Sequence, residues 1–251
     1  NLNSDSDAYN IAIGHSAGNA MTTGTSNTLI GGLAGDALTD GNANVAVGRG
    51  ALSGETRGDR NVAIGYEALL AQNNTSDVDA YNVAVGYVAG TAMTTGVNNT
   101  LIGGQAGDAL TTGTNNVAMG YGALGSEDTG GQNVAIGVNA LNTANYNGNG
   151  LNVAVGYGAG AAVTTATYNT LIGGLAGDAI TTGTDNTAVG YGALSTEDAH
   201  GGNTAIGMLA LTTQDAGANA FNTAVGADCG RYITTGINNT LIGGLAGDAL
   251  T

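Results

Sequence analysis

A parallel β-solenoid of about fourteen 17-residue coils is the fold class this sequence predicts, and three observations predict it. The first is a repeat. The string Asn-x-x-(Val/Ile/Met)-Gly has its Asn at Asn10, Asn27, Asn44, Asn61, Asn82, Asn99, Asn116, Asn133, Asn152, Asn169, Asn186, Asn203, Asn222 and Asn239. The gaps are 17 residues, except for 21 after Asn61 and 19 after Asn133 and Asn203. The second is a period of two within each unit. Counting the Asn as zero, position +1 is always Val, Ile or Thr and position +3 always aliphatic or Met, which puts both on one face of a strand. No helical period competes with it. The third is the use of glycine and proline. Of 251 residues 46 are glycine, fourteen of them at position +4, and none is proline, as suits coils that must each donate backbone N–H groups to the next.

Units come in four types, and the longer gap follows every fourth. The first type reads like Asn82-Val-Ala-Val-Gly86, the second like Asn99-Thr-Leu-Ile-Gly103 followed by Gly-Gln-Ala-Gly-Asp108. The third reads like Asn116-Val-Ala-Met-Gly120 with an acidic loop after it, the fourth like Asn133-Val-Ala-Ile-Gly137 with the longer connection. Residues 1–251 are therefore one repeat array with superrepeats 10–81, 82–151 and 152–221 and a partial one, 222–251. The last unit stops short, so the array is expected to be a segment of a longer fibre.

Each column of the repeat carries its own expectation. Position +2 is Ala, or Leu in the second type (Leu29, Leu101, Leu171, Leu241), so the strand is apolar on both faces and is expected to be buried on both. A thin coil has one interior. The second face calls for another layer, and two further identical chains in a homotrimer are the simplest source. Glycine at +4 points to a positive-φ turn or a place too tight for a side chain. Position +7 is Ala in thirteen units and Cys229 in the other, a small residue at a corner. A second short strand is expected around +11, which is aliphatic or Met in the first two types: Met21, Leu38, Met93, Leu110, Val163, Ile180, Ile233 and Leu250. The Asn residues are expected to stack as a ladder, their amides bonded to neighbouring turns.

Composition removes several function classes. One cysteine leaves no disulfide framework or Cys-built zinc site, and two histidines are too few for the usual His-rich catalytic centres. Four basic against 19 acidic residues, net −15, disfavour nucleic acid as a partner. No run of 18 apolar residues is present to insert in a membrane. Hydrophobic residues at 42 % argue against disorder.

Asn61-Val-Ala-Ile-Gly65, Asn133-Val-Ala-Ile-Gly137 and Asn152-Val-Ala-Val-Gly156, each with Ala three residues on, resemble the head repeats of YadA-like trimeric autotransporter adhesins. Asn186-Thr-Ala-Val-Gly-Tyr191 is also similar to repeats of bacteriophage tail fibres. The resemblance covers essentially the whole chain, though the 17-residue unit is longer than the family's usual one. It implies a left-handed β-roll made by three identical chains, extracellular, on a bacterial surface or a virion, and used for attachment.

Candidate sites are few. Arg57-Gly58-Asp59 spells an integrin-type tripeptide, most simply a chance one, since the sister loops read Thr129-Gly130-Gly131 and Ala199-His200-Gly201. Tyr66, Tyr87, Tyr121, Tyr157 and Tyr191 at +5 offer an aromatic column for stacking sugar rings, or simply pack as a ladder. Asp36, Asp108, Asp178 and Asp248 close Gly-Gly-x-Ala-Gly-Asp segments; they read as turn caps, or as carboxylates that could share a cation on a threefold axis. Thr pairs such as Thr22-Thr23 and Thr94-Thr95 invite an ice-binding idea, but the column is broken in the third and fourth types. Cys229 reads as a buried small residue. His15 and His200 show no recurring partner, and Glu127-Asp128 and Glu197-Asp198 read as a solvated rim. No catalytic, cofactor or metal residues are assigned, and no enzyme is expected. The expected function is structural and adhesive, by many weak contacts to a surface glycan or protein receptor. The alternatives are a purely structural spacer and a solenoid polysaccharide depolymerase.

Overall fold

The computed structural model describes residues 8–250; residues 1–7 and 251, the two extremities of the array, lie outside the described residues. The chain is an all-β parallel solenoid of about fourteen coils, with no helix among the described residues. It divides into two compact units, Asn1–Gly130 and Gly131–Thr251, the boundary falling inside the second superrepeat.

Every coil contributes one three-residue strand at positions +1 to +3. In the first unit these are β1 (Ile11–Ile13), β2 (Thr28–Ile30), β3 (Val45–Val47), β4 (Val62–Ile64), β5 (Val83–Val85), β6 (Thr100–Ile102) and β7 (Val117–Met119). The second unit holds β8 (Val134–Ile136), β9 (Val153–Val155), β10 (Thr170–Ile172), β11 (Thr187–Val189), β12 (Thr204–Ile206), β13 (Thr223–Val225) and β14 (Thr240–Ile242). Within each unit consecutive strands pair in parallel, and the register matches like positions of the repeat: Leu29 opposes Ala46, Leu171 opposes Ala188.

The expected second strand does not form. Positions +6 and +8 are left-handed in coil after coil, as at Leu33 (φ 61) and Gly35 (φ 53); the turns continue through +10 and the chain bends again at +12 and +13, which leaves no extended run around +11. That side is a succession of turns, yet it still bonds coil to coil: Gly18 N–H donates to Ala34 O at 3.0 Å, Ala20 N–H to Asp36 O at 3.0 Å and Thr22 N–H to Thr39 O at 2.9 Å. Most donors round the circuit are thus spent on the coil before or after, as at Leu33 N–H to His15 O, and the absence of proline fits this.

Position +4 needs glycine twice over. Gly103 has φ +135, and a Cβ there would sit 2.5 Å from the carbonyl oxygen of Gly120 in the next coil. The Asn column forms the expected ladder. Asn99 Oδ1 accepts the backbone N–H of Asn116 at 3.0 Å, and Asn99 Nδ2 donates to the carbonyl of Gly113 at 2.9 Å, closing its own coil. The same pair of bonds recurs at Asn27, Asn152 and Asn169, and these amides are fully buried.

The interior lies on the +2 side. From Leu29 to Ala224 every +2 side chain is fully buried, whereas +1 and +3 are half-buried or exposed. The superperiod of four follows from how this narrow core is filled. Second-type coils put Leu at +2, and their own +8 is Gly: a Cβ on Gly35 would meet Leu29 at 2.9 Å, and one on Gly107 would meet Leu101 at 2.8 Å. Third- and fourth-type coils reverse the arrangement, with Ala at +2 and a buried Leu at +8 (Leu52, Leu69, Leu124, Leu141, Leu194, Leu211). First-type coils carry Ala at +2 and Gly at +8, and the space over Gly90 is taken by Leu69 and Leu101 of the coils on either side, so each large side chain is set against a small one on the facing wall.

Candidate functional site

Two regions of the surface carry chemistry that the core does not consume. One is the outer face of the strands. The other is the set of turns at positions +11 to +14.

On the outer face, Ile30, Ile64, Met119, Ile172 and Ile206 at +3 are each more than a third exposed. Beside them at +5 stand Tyr66, Tyr87, Tyr121, Tyr157 and Tyr191. Tyr66 and Tyr87 stack with centroids 5.5 Å apart, and the Arg49 guanidinium lies 5.4 Å over the Tyr66 ring while bonding to its hydroxyl at 2.9 Å. Second-type coils carry Gly at +5, which interrupts the column, and the ring of Tyr121 leans over Gly104. Flanking the other edge of the stripe, Tyr9, Tyr81, Leu151 and Phe221 all sit at −1 before a first-type unit and are exposed. Sequence reasoning passed over this second apolar column; its return once per superrepeat was the available signal.

The turns hold the main correction. In third-type coils +11 is Glu55, Glu127 and Glu197, the same column as Met21 and Leu38; all three are fully buried, so Glu127 and Glu197 are not part of a solvated rim. Glu55 shows how burial of a carboxylate is tolerated. Its Oε1 accepts the successive N–H groups of Thr56 (2.9 Å), Arg57 (3.0 Å) and Gly58 (2.8 Å), and the Asn74 N–H at 3.0 Å. The Asn74 side-chain amide then fills Oε2 at 3.0 Å. A concave run of backbone donors is a ready anion site, and here the protein's own side chain occupies it. In fourth-type coils Gln72 and Gln214 are inside instead, accepting from the Nδ2 of Asn82 (3.2 Å) and Asn222 (2.7 Å).

Glu197 is less well served. Its Oε1 accepts the His200 N–H at 3.0 Å and lies 3.3 Å from His200 Nδ1, while its buried Oε2 has no hydrogen-bond partner. Burial pushes its carboxyl pKa up; the His200 contacts oppose the shift and the nearby Asp215 charge adds to it. Among the described residues, Glu197, Asp198, His200 and Asp215 are the one group of acidic and imidazole side chains whose ligand atoms gather within 4.8 Å of one another. His200 therefore has a carboxylate partner that its isolated place in the sequence did not reveal.

The remaining candidates resolve simply. In Arg57-Gly58-Asp59 the first two N–H groups wrap Glu55, Gly58 is buried, and Asp59 Oδ1 accepts from Asn42 N–H at 2.6 Å. The backbone of the tripeptide is folded into the coil, and only the Arg57 side chain, beside Asp40, is exposed. The first Thr of five pairs is spent on the ladder, as with Thr94 Oγ1 donating to Thr111 O at 3.1 Å and Thr164 Oγ1 to Thr181 O at 3.0 Å. Asp36, Asp108, Asp178 and Asp248 are half-buried in second-type coils and do not meet within either unit; burial pushes the Asp108 and Asp178 carboxyls up. Cys229 is fully buried and its thiol lies 3.4 Å from Leu241 O; burial raises its pKa too. His15 is exposed. The four arginines are each paired, Arg49 with Glu67, Arg57 with Asp40, Arg60 with Asp79 and Arg231 with Asp228.

Fold and surface together define a tandem-repeat β-solenoid protein with an apolar, aromatic-edged strand face. No family model matches the chain, and no curated protein or solved structure matches it. No helix among the described residues is long and apolar enough to cross a membrane.

Proposed function

We propose that the chain is a non-enzymatic, structural and adhesive segment of a homotrimeric extracellular fibre, of the kind found in bacterial adhesin heads and phage tail fibres. The observation that carries this reading is the uncovered strand face. Val, Ile and Thr at +1 and aliphatic residues or Met at +3 repeat in every coil with no charge among them, and the +3 side chains stay substantially exposed in the single chain. A contiguous apolar stripe of this kind is uncommon on monomers and marks an interaction surface. Its columns return once per coil, so an identical chain in the same register presents a matching stripe along each unit. Three such faces turned inward would make a left-handed β-roll trimer like the one the head-repeat resemblance implies. The turns, with most of the charge, and the +5 tyrosines at the edge of the stripe would be left outward. Attachment then comes from weak contacts, aromatic rings against sugar faces among them, repeated along the fibre and over three chains. Sedimentation equilibrium tests the assembly: a trimer is expected, and a stable, folded monomer at micromolar concentration overturns it. A glycan array tests the adhesive part, where binding no stronger than background leaves only a spacer.

A further inference from the structure

The first and third superrepeats build the same loop pair with different residues. A third-type turn lies against the turn of the fourth-type coil that follows it. In the first superrepeat Thr56 Oγ1 donates to Asn73 Oδ1 at 3.0 Å, and Asn74 supplies its amide to Glu55 Oε2. In the third, the Thr56 position is Asp198, the Asn73 position is Asp215, the Asn74 position is Ala216 and the Gly58 position is His200. Each change removes a donor or adds a ligand. Two carboxylates that cannot donate replace a hydroxyl–amide bond, and Ala216 leaves Glu197 Oε2 buried and unpartnered. An imidazole appears where the sister loop has only hydrogen. Three carboxylates and one histidine then share a space in which their ligand atoms lie within 4.8 Å of one another.

We propose that Glu197, Asp198, His200 and Asp215 bind one divalent transition-metal cation of the Mn2+ or Zn2+ class. A dication offsets most of the charge of the three carboxylates and gives Glu197 Oε2 the partner that Asn74 gives Glu55. The nitrogen donor favours such an ion over Ca2+ or Mg2+, which prefer all-oxygen shells. Glu197, Asp198 and His200 come from one coil and Asp215 from the next, so the ion ties two neighbouring turns together. It also singles out one superrepeat from otherwise similar neighbours.

The test is calorimetric titration of the full chain, stripped with chelator, against MnCl2 or ZnCl2, with Mn2+ counted independently by electron paramagnetic resonance. One ion per chain is expected, with excess Ca2+ failing to displace it and the melting temperature rising on binding. Asp215→Asn restores the residue found at Asn73 and Asn145 and should leave the circular dichroism spectrum unchanged while weakening binding by about tenfold or more. Ala216→Asn should act similarly by returning an amide to Glu197. Absence of saturable binding by either ion overturns the proposal, as does affinity that both variants leave unchanged.

Discussion

The two faces of the same short strands differ more than their composition suggests. Both are apolar. Inside, Ala or Leu at +2 is fully buried against the +7 and +8 columns, and the buried Asn ladder runs alongside. Outside, Ile and Val at +3 remain partly in water, as does the tyrosine column next to them. The inner face is fixed by contacts within one chain, with large side chains at +2 or +8 set against small residues on the facing wall. The outer face has no partner within its own coil, so its regularity is not explained by the folding of a single chain. Regular apolar columns on an uncovered face are what the proposed association requires.

Substitutions can break or sharpen that contrast. The largest effect is expected at Asn99→Ala. It strands the N–H of Asn116 and the carbonyl of Gly113 in a buried wall, at about 1–3 kcal/mol for each orphaned group. A loss of about 4 kcal/mol in urea unfolding is the expected result; a loss under 1 kcal/mol would mean that backbone stacking alone holds the coils. Leu171→Ala comes next. It empties the core where glycine at Gly160 and Gly177 leaves room for that side chain, and should cost about 2–4 kcal/mol. Ile172→Ser, one residue further on but facing out, should cost the single chain under about 1 kcal/mol. If the proposed trimer forms, the expected consequence is its loss in sedimentation, so the adjacent pair separates folding from assembly.

The smallest effect belongs to Asp178, whose carboxyl pKa burial raises and whose Oδ1 has no partner. The native chain holds that proton more tightly than the unfolded chain does. The cost of ionisation is therefore complete above the folded pKa, shrinks as pH falls toward the unfolded value, and vanishes below it. Asp178→Asn should raise the melting temperature at pH 7 by under about 2 °C, with the gain gone below about pH 4.

Much of this architecture is legible because the repeat makes column membership readable. Asn at zero and Gly at +4 each stand in one column, and parallel in-register stacking means that whatever one coil needs there, its neighbours need too. The amide ladder and the positive-φ glycines follow directly. Glu127 and Glu197 are expected at a solvated rim because charge marks surface in most sequences, yet they stand in the +11 column, which is apolar in the first two unit types. Only the backbone shows that the turn after +11 aims successive N–H groups back at the carboxylate. The second strand failed because the +11 aliphatic residues are inward-facing without being extended. The alternation of Leu29 with Leu52, and the glycines that make space for each, needed the two walls in view together.

The sequence alone determined the number of coils, their register, the Asn and Gly columns and the absence of proline, because a one-dimensional period becomes a column when identical coils stack in parallel. The tertiary structure alone decided which apolar face is the interior, and that three glutamates lie within it. It also decided that Glu197, His200 and Asp215, from two successive coils, meet at one point. The reason is that alternation records only that neighbouring side chains point to opposite sides; which side encloses the core depends on the way the chain curves after Gly at +4.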